Sequence, residues 1–588
     1  MKMLQKLGRV SVGLTLPAFA ILLIVMGIPM VRMFLASVNA PDFSFANYQA
    51  FFSQPANVRV LIQTVEVSAV ATALCLIIGY PTAYLISTAP KRLQIMLLVL
   101  VIIPYLTSFL ARTYAWVVIL GDRGLINNLL IGLGLVHSPL PLIYNRMAVY
   151  ISMVHIMLPM MILPLVSVMM GIDRSLMAAA RSMGARPFAA FARVFFPLSM
   201  PGVRSGSMLV FVICLGFYIT PAALGGLGDA MLSTFIASQV RTSFNIARLA
   251  ASAFILLAVA GVVLSIFGLD LSQTQGRTAQ RARGARQSRL PSFGPLRRYF
   301  DERADRYRAK RWTTKLYQPG AQARWSIVET LYIVLVMTYL LFPGVVVIIM
   351  SFSAGTYLEM PPSAPSLRWY RAFFQDPSWT GAAWTSVQIG AIVTILATIV
   401  GTLAAYGLSR TSSKLRSSLT IILLAPITLP SIVVAIAAYL GLLKLGLIGT
   451  KTGIVLAHSI GAICYVVVIV SATLATFDRR LEQAAMSMRA GPLQTFKRVT
   501  LPLIRPGIIG GALFAFISSF DEVVISLIVS GFSIRTLPLK MWENMRHEID
   551  PTIAAVSSLL ILLPVLWLGA LYVFWWRSRP KAQSSATV

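Results

Sequence analysis

The chain has 588 residues, of which 57% are apolar and 12% are charged, and its mean hydropathy is +0.78. A soluble protein is about half apolar and about a quarter charged, so this composition excludes a soluble enzyme, a disordered polypeptide and a fibrous protein. The 50 Lys and Arg residues against 19 Asp and Glu residues give a net charge of +31, which in a soluble protein would suggest nucleic-acid binding. The positions of these charges along the chain indicate a membrane protein instead.

Long apolar runs recur along the chain, and each is long enough to cross a bilayer as a helix. They predict an all-α integral membrane protein with about 12 spanning helices in two sets of six. The first set lies near 11–36, 61–87, 94–120, 147–171, 203–225 and 249–270. The second set lies near 326–353, 382–409, 418–443, 453–474, 507–530 and 552–576. The first run exceeds the apolar region of a signal peptide, so we expect a retained span.

The basic residues favour one orientation. With a cytoplasmic N-terminus, 36 of the 50 fall on the inner side and 12 on the outer side. Leaving out the 14 that lie in one long polar segment, 22 inner residues still exceed the 12 outer ones. The positive-inside rule therefore predicts that both termini are cytoplasmic.

The long polar segment divides the chain into two membrane halves. Residues 1–270 form the first half, 271–325 a basic cytoplasmic linker and 326–588 the second half. The linker has 14 basic residues against three acidic ones. We interpret it as a solvated tether; contact with anionic lipid headgroups is the alternative, because polybasic segments are attracted to the cytoplasmic leaflet. We expect no nucleic-acid partner.

The two halves are related by an internal repeat. Residues 173–202 align without a gap with 478–507, and a weaker similarity relates 79–87 to 401–409. The offsets are 305 and 322, so the first half contains about 17 extra residues. Because each half has an even number of predicted spans, the repeats run in parallel about an axis along the membrane normal. The best-matched segment is a predicted cytoplasmic loop.

The repeated loop has the pattern of two short helices. Asp173 and Asp478 are good N-caps, small Ala residues follow, and a break precedes a second amphipathic helix that we expect to end at a Pro-Leu-x-x-Pro-Gly sequence. A single loop of this kind could lie on the membrane surface. Two near-copies at equivalent positions favour docking to a two-fold symmetric partner.

This loop resembles the Glu-Ala-Ala loop of ABC importer permeases. The aligned residues, together with the capping Asp-Arg pairs and the closing prolines, are Asp173, Arg174, Ala178, Ala179, Ala180, Gly184 and Pro197 in the first copy and Asp478, Arg479, Gln483, Ala484, Ala485, Arg489 and Pro502 in the second. Both copies depart from the pattern. The Glu of the pattern is replaced by Ala178 in the first copy and by Gln483 in the second, and the Gly of the pattern is replaced by Arg489 in the second copy. These departures concern the polar contacts with the partner rather than docking itself.

The resemblance extends over both halves. The sequences at 109–116, 197–203 and 217–226 look like one permease of the spermidine/putrescine import family, and 501–531 looks like its partner permease. The resemblance implies two permease subunits fused in one chain, with the type I ABC importer permease fold. It further implies a bacterial inner membrane location, two copies of a cytoplasmic ATP-binding subunit and a periplasmic substrate-binding protein.

The implied function is import of a small cationic solute by alternating access, most plausibly a polyamine such as putrescine or spermidine. An opine, an aminophosphonate or another amine is the alternative cargo, and a secondary transporter is a disfavoured alternative class. The chain has no phosphate-binding loop, so we expect no enzymatic activity and no cofactor in it, with ATP and Mg bound by the partner. Its scattered His and Cys residues predict no metal site.

Ionisable residues within spans are costly and are therefore candidates for function. Asp521 and Glu522 could receive an amine, and their first-half counterparts Gly216 and Phe217 make such a site one-sided. A purely structural role for the two carboxylates is the alternative. Glu66 and Arg112, on different helices, could pair with each other.

Aromatic and histidine side chains complete the candidates. Trp116, Phe217 and Tyr218 could line the pathway and contact an ammonium group through their ring faces, although packing is the alternative. His155 and His458 are interpreted as packed or helix-bridging residues.

Overall fold

The computed structural model describes residues 12–242, 245–266, 326–355, 361–362, 364–531, 533–547 and 551–577. The predicted linker 271–325 lies outside the described residues. Within them the chain is helical, apart from turns and one isolated β-bridge between Ser353 and Pro365.

The first half contains twelve described α-helices and a short 3₁₀ turn, Leu227–Asp229. The helices are α1 Leu16–Ser37, α2 Ala46–Phe52, α3 Pro55–Thr88, α4 Lys91–Leu106, α5 Phe109–Leu120, α6 Leu125–Gly132, α7 Arg146–Met170, α8 Arg174–Ser182, α9 Pro187–Leu215, α10 Ile219–Leu224, α11 Leu232–Thr242 and α12 Ile246–Ile266.

The second half contains eleven described helices. They are α13 Ile327–Ser351, α14 Arg368–Gln375, α15 Pro377–Arg410, α16 Ser413–Thr428, α17 Ser431–Lys444, α18 Lys451–Ala475, α19 Arg480–Ser487, α20 Pro492–Phe520, α21 Val524–Val529, α22 Leu537–His547 and α23 Thr552–Arg577.

The helix boundaries reproduce the sequence repeat. The helices α3 and α15 each have 34 residues, α4 and α16 each have 16, and α7 and α18 each have 25. A hydrogen bond at the end of the bundle near α11 and α22 is also repeated. The N–H of Leu232 donates to Thr64 Oγ1, and the N–H of Leu537 donates to Ser386 Oγ, both at 2.7 Å. The extra residues of the first half form α6 and its flanking turns.

Ten helical segments of the described chain are long and apolar enough to cross a membrane, or eleven when the bent pair α16 and α17 is counted as one span. The all-α membrane fold in two repeats is confirmed, but two predicted continuous spans are wrong. The span predicted at 94–120 is divided into α4 and α5, and the span at 418–443 turns by 102° between α16 and α17. Thr107 and Leu429, the residues at these breaks, have extended backbones, and each follows a helix with Pro in its last turn.

The spans predicted at 203–225 and 507–530 also differ from the structure. Each helix starts earlier, at Pro187 or Pro492, and ends at Leu215 or Phe520 before a short helix, α10 or α21. The expected helix ends at Pro197 and Pro502 are wrong. A π-helical turn precedes each of these prolines, and the changed hydrogen-bond register lets the helix continue past a residue without an N–H.

The first helix of each half packs on the other half. On α13, Tyr332 donates to the carbonyl of Ile78 at 2.6 Å and Tyr339 donates to that of Ile151 at 2.6 Å. On the other side, α1 packs against α17, where a Cβ on Gly441 would lie 2.6 Å from the Pro29 ring. The two halves are therefore interlocked by exchanged helices.

Candidate functional site

The helix breaks of the two halves meet where the halves contact each other. Asp521, at the end of α20, accepts hydrogen bonds from the hydroxyl of Ser108 and, at 3.0 Å, from the backbone N–H of Phe109. Ser108 caps α5, so the second half supplies a carboxylate to a helix N-terminus of the first half. Such a site stabilises negative charge, because the N–H groups there have no partner within the helix.

The counterpart contact uses close backbone packing instead of a carboxylate. Gly216 occupies the position of Asp521 in the repeat, and a Cβ there would lie 2.8 Å from the Cα of Pro430. The hydroxyl of Ser431 donates to the Gly216 carbonyl at 3.3 Å. The two contacts are equivalent in position, but only the second half contributes a charge.

A cavity of about 140 Å³ lies beside the Asp521 contact, and we call it the seam cavity. Its lining residues are Tyr105, Leu106, Thr107, Phe109, Met160, Tyr465, Phe514, Ile517, Ser518, Asp521 and Glu522. Met160 and Tyr465 belong to the central parts of α7 and α18, so the cavity lies at the middle depth of the bundle. Both halves contribute aromatic rings, whereas both carboxylates come from the second half.

The two carboxylates have different surroundings. Asp521 is held by both of its oxygens across the seam. Glu522 accepts a hydrogen bond from the N–H of Ile525 at 3.1 Å, within its own half. The charge of Arg112 also interacts with Asp521. Among the described residues, Asp521 accepts hydrogen bonds from the other half, whereas the Glu522 carboxylate accepts one from its own half.

The structure places Trp116, Phe217 and Tyr218 outside the lining of the seam cavity. Phe217 packs edge-to-face on Phe109 with ring centroids 6.0 Å apart. Tyr218 contacts Trp542 at 5.4 Å, and Trp116 contacts His155 at 5.7 Å. All three predicted aromatics are buried in helix packing.

Four other rings line the cavity and were missed by sequence reasoning: Tyr105, Phe109, Tyr465 and Phe514. Tyr105 and Phe109 flank the break between α4 and α5, which the continuous apolar run does not reveal.

The predicted pair between Glu66 and Arg112 does not form. Glu66 is bonded to Arg146 at 3.2 Å, and the same guanidinium bonds Asp229 at 3.2 Å. Arg112 is buried, donates to the carbonyl of Ile156 at 3.2 Å and lies 4.8 Å from the centre of the Phe109 ring. The bend before α5 turns Arg112 inward, whereas Glu66 stays at the periphery beside the start of α7.

The helix-bridging interpretation of the two histidines is confirmed. His155 Nε2 lies 3.1 Å from the carbonyl oxygen of Leu340 and joins α7 to α13. His458 lies 3.0 Å from the hydroxyl of Ser519 and 3.1 Å from that of Ser526, so it joins α18 to α20 and α21.

The two repeated loops form the helices α8 and α19 at one end of the bundle, which we call the loop end. Asp173 is the N-cap of α8, and the N–H of Ser175 donates to it at 2.9 Å, which holds the pKa of this carboxyl below its usual value. Asp478 accepts the equivalent bond from the N–H of Arg480 at 2.9 Å, although α19 begins at Arg480 itself. The predicted N-cap is therefore confirmed for Asp173 and wrong for Asp478, because the N-cap of α19 is Arg479.

Equivalent arginines attach each loop to the long helix of its half. Arg174 donates to the carbonyl of Ser87 at the end of α3, at 2.9 Å. Arg479 donates to the carbonyl of Ser409 at the end of α15. These bonds tie each loop to a helix that runs through the bundle.

A buried ion pair secures only the second loop, and sequence reasoning missed it. Glu482 lies 2.5 Å from Arg410, and Thr500 donates a hydrogen bond to the same carboxylate oxygen. At the offsets of the repeat, the first-half counterparts of Arg410, Glu482 and Thr500 are Thr88, Met177 and Phe195. The replacement of two uncharged residues, Thr88 and Met177, by a base and an acid at paired positions is the signal that could have revealed this contact.

The residues of the Glu-Ala-Ala pattern divide into two faces. Ala180 and Ala485 are buried against the bundle, Ala178 is partly buried, and Ala179, Gln483 and Ala484 are exposed. Gly184 and Arg489, which follow the helices, have left-handed backbones with φ of 87° and 65°. The second copy thus keeps the turn of the first without the glycine that such a conformation favours.

The exposed face of each loop carries large apolar side chains at equivalent positions. Met183 and Met488 are 82% and 79% exposed. Leu176 and Leu481 are also exposed. Exposed apolar patches on a folded protein mark interaction sites, and these two patches match each other.

Comparison with known proteins assigns the fold to a transport family. The profile of the binding-protein-dependent transport system inner membrane component matches the chain twice, at residues 76–274 and 397–578. The chain is 37% identical over 199 residues to the spermidine/putrescine transport system permease protein PotB of Haemophilus influenzae. It is 33% identical over 251 residues to the putrescine transport system permease protein PotI of Escherichia coli.

Each of these relatives corresponds to part of the chain. The PotB match covers 34% of this chain and 69% of the relative, and the PotI match covers 41% of this chain and 88% of the relative. This coverage agrees with two permease units in one polypeptide, and the family favours a binding-protein-dependent transporter over a secondary transporter. The chain belongs to the family of binding-protein-dependent transport system inner membrane components and contains two fused copies of the family's domain.

Proposed function

We propose that this chain forms the membrane-spanning part of an ATP-driven importer for polyamines. Its relatives PotB and PotI are named for spermidine and putrescine transport. The observation that carries the proposal is the seam cavity, where Glu522 and Asp521 lie among aromatic rings at the contact between the halves. Carboxylates and ring faces are the groups that stabilise an organic ammonium ion in a site partly shielded from water.

In this proposal Glu522 binds an ammonium group, and Asp521 holds the seam closed. The bonds from Ser108 and the N–H of Phe109 occupy both oxygens of Asp521, whereas Glu522 faces the cavity without a bond across the seam. At about 140 Å³ the cavity suits one end of a polyamine rather than an extended molecule. Passage therefore requires the halves to separate, which breaks the Asp521 contact.

The loop end is the cytoplasmic side in this proposal, and both termini lie there. Two copies of an ATP-binding subunit dock on α8 and α19, with the exposed methionines Met183 and Met488 in the two contacts. ATP and Mg are bound and hydrolysed by that partner, and this chain catalyses no covalent step. The movement reaches the seam through the bonds of Arg174 and Arg479 to α3 and α15.

The opposite end receives a periplasmic substrate-binding protein that delivers the polyamine. The location is the bacterial inner membrane, which agrees with the family description and with the ten apolar helices. The basic linker 271–325 is a cytoplasmic tether between the halves in this scheme.

The test is import into liposomes that contain this chain and its ATP-binding subunit, driven by the cognate binding protein. Putrescine and spermidine should both be accumulated with ATP, whereas an uncharged diol of the same length should not. Glu522→Gln should lower import at least tenfold without changing binding of the ATP-binding subunit. Ser518→Ala, at another position lining the cavity, is the matched control. Full import by Glu522→Gln would remove this residue from the site, and import of the diol alone would refute the cation assignment.

A further inference from the structure

A long apolar groove runs along the outside of the bundle between α4 of the first half and α13 of the second half. Its volume is about 660 Å³. Leu97, Ile333 and Met337 are buried and form its floor, while Met96, Val334 and Phe342 are exposed and form its walls. Every one of these side chains is apolar, and both helices belong to the membrane part of the chain.

The groove starts at the loop end. Its first lining residues are Leu93, two positions after the start of α4, and Thr330, three positions after the start of α13. The α13 side extends to Val345, about 22 Å farther along the helix at 1.5 Å per residue. One leaflet of the hydrocarbon core is about 15 Å thick, so the groove spans the full depth of the leaflet at the loop end.

The mouth of the groove is cationic. Lys91 and Arg92 are exposed at the first turn of α4, immediately before Leu93, and the N-terminus of a helix adds positive potential there. Glu329 is the nearby acid at the start of α13, and it is engaged by the N–H of Ser326 at 2.7 Å. The excess of positive charge lies where the phosphate of a lipid with its acyl chain in the groove would be.

We infer that this groove binds one anionic phospholipid from the leaflet at the loop end, with an acyl chain on Leu97 and Met337 and its phosphate beside Lys91 and Arg92. The lipid bridges the two halves, because the groove has one wall from each. Tyr332 and Tyr339 hold α13 to α3 and α7 on its inner side, so the lipid fills the space that α13 leaves toward α4. The inference does not depend on the transported solute.

Binding can be measured on the intact chain by photolabelling. Phosphatidylglycerol with a photoactivatable acyl chain, in nanodiscs of phosphatidylcholine, should label peptides that contain residues 93–100 and 330–345. Excess unlabelled phosphatidylglycerol should remove this label, and excess phosphatidylcholine should not. Labelling spread over all lipid-facing helices, or equal competition by both lipids, would overturn the inference without any variant.

Two variants separate the headgroup contact from the acyl contact. Each basic residue near an anionic membrane surface contributes about 1 kcal/mol, or about fivefold in affinity, so Lys91→Gln with Arg92→Gln should weaken phosphatidylglycerol labelling by about thirtyfold. Val334→Trp should fill the groove and remove the phosphatidylglycerol label. The controls are Lys414→Gln, at the repeat position of Arg92, and Ile399→Trp, an exposed residue of α15 outside the groove. Unchanged labelling in both test variants would overturn the inference.

Discussion

The ion pair between Arg410 and Glu482 is a difference between the two halves that can be reversed by mutation. In the first half the same positions carry Thr88 and Met177, which pack without charge. Arg410→Thr therefore breaks the pair, and Arg410→Thr with Glu482→Met places the first-half residues at both positions of the pair while keeping Thr500. The internal repeat supplies a replacement that already fits this backbone.

The expected cost follows from the burial of the pair. The side chains of Arg410 and Glu482 are 18% and 8% exposed, and removing one partner of a buried pair costs about 3–5 kcal/mol. Thr500 still donates to Glu482 and some solvent reaches it, so we expect about 2 kcal/mol for Arg410→Thr. The double variant leaves no charge buried and should cost less than about 1 kcal/mol, because apolar replacements of buried pairs are often neutral.

Hydrogen exchange in nanodiscs measures this cost at the loop itself. A loss of about 2 kcal/mol corresponds to a roughly thirtyfold increase in the exchange of amides in α19, whereas those of α8 should not change. Lys497→Thr, which removes an exposed base at the same end, is the control. The reasoning is wrong if the double variant exchanges as fast as the single one, because the buried charge would then not be the cause.

Three further predictions concern single positions. Gly184→Ala should destabilise its loop by about 1 kcal/mol, whereas Arg489→Gly should not destabilise the other loop, because both positions have a left-handed backbone that favours glycine. Hydrogen exchange of the amides that follow each position measures these effects. Equal effects of the two substitutions would contradict the argument. Glu66→Gln should change thermal stability by less than about 1 kcal/mol, because its pair with Arg146 is well exposed, and a larger loss would show that this pair is effectively buried. His458→Ala should cost about 1–3 kcal/mol in thermal unfolding because it leaves the buried hydroxyl of Ser519 unpaired, whereas Ser526 keeps its bond to the carbonyl of Glu522, and an unchanged transition would argue against the bridging role.

The sequence predicted the features that depend on the repeat. The loops were located correctly, because a capping Asp, a following Arg and a fixed offset identify the same short helix twice. The breaks beside Thr107 and Leu429 were not predicted, since hydropathy registers an apolar run and is insensitive to a change in backbone direction. Pro104 and Pro426 occupy equivalent positions in the repeat and would have been the signal for these breaks.

The seam cavity could be predicted only in part, because hydropathy does not reveal the helix breaks around which it forms. Asp521 and Glu522 were identified because a charge in an apolar segment is costly wherever the helix lies. The predicted pair of Glu66 with Arg112 was wrong because it assumed a continuous helix through Arg112. In addition, the depth of a residue in the membrane does not specify which side of the helix its side chain faces. The lining rings Tyr105 and Tyr465 have no sequence feature that separates them from other aromatics in spans.

The two halves are similar at some surfaces and different at others, and this difference follows from what each surface contacts. The exposed loop residues match between halves, Leu176 with Leu481 and Met183 with Met488, while the buried residue next to them differs completely, Met177 against Glu482. The two-fold symmetric partner that we propose for the loop end would constrain the surface of both loops and leave their attachment to the bundle free to differ. The small solute that we propose for the seam cavity has no such symmetry, so one carboxylate-bearing half suffices there.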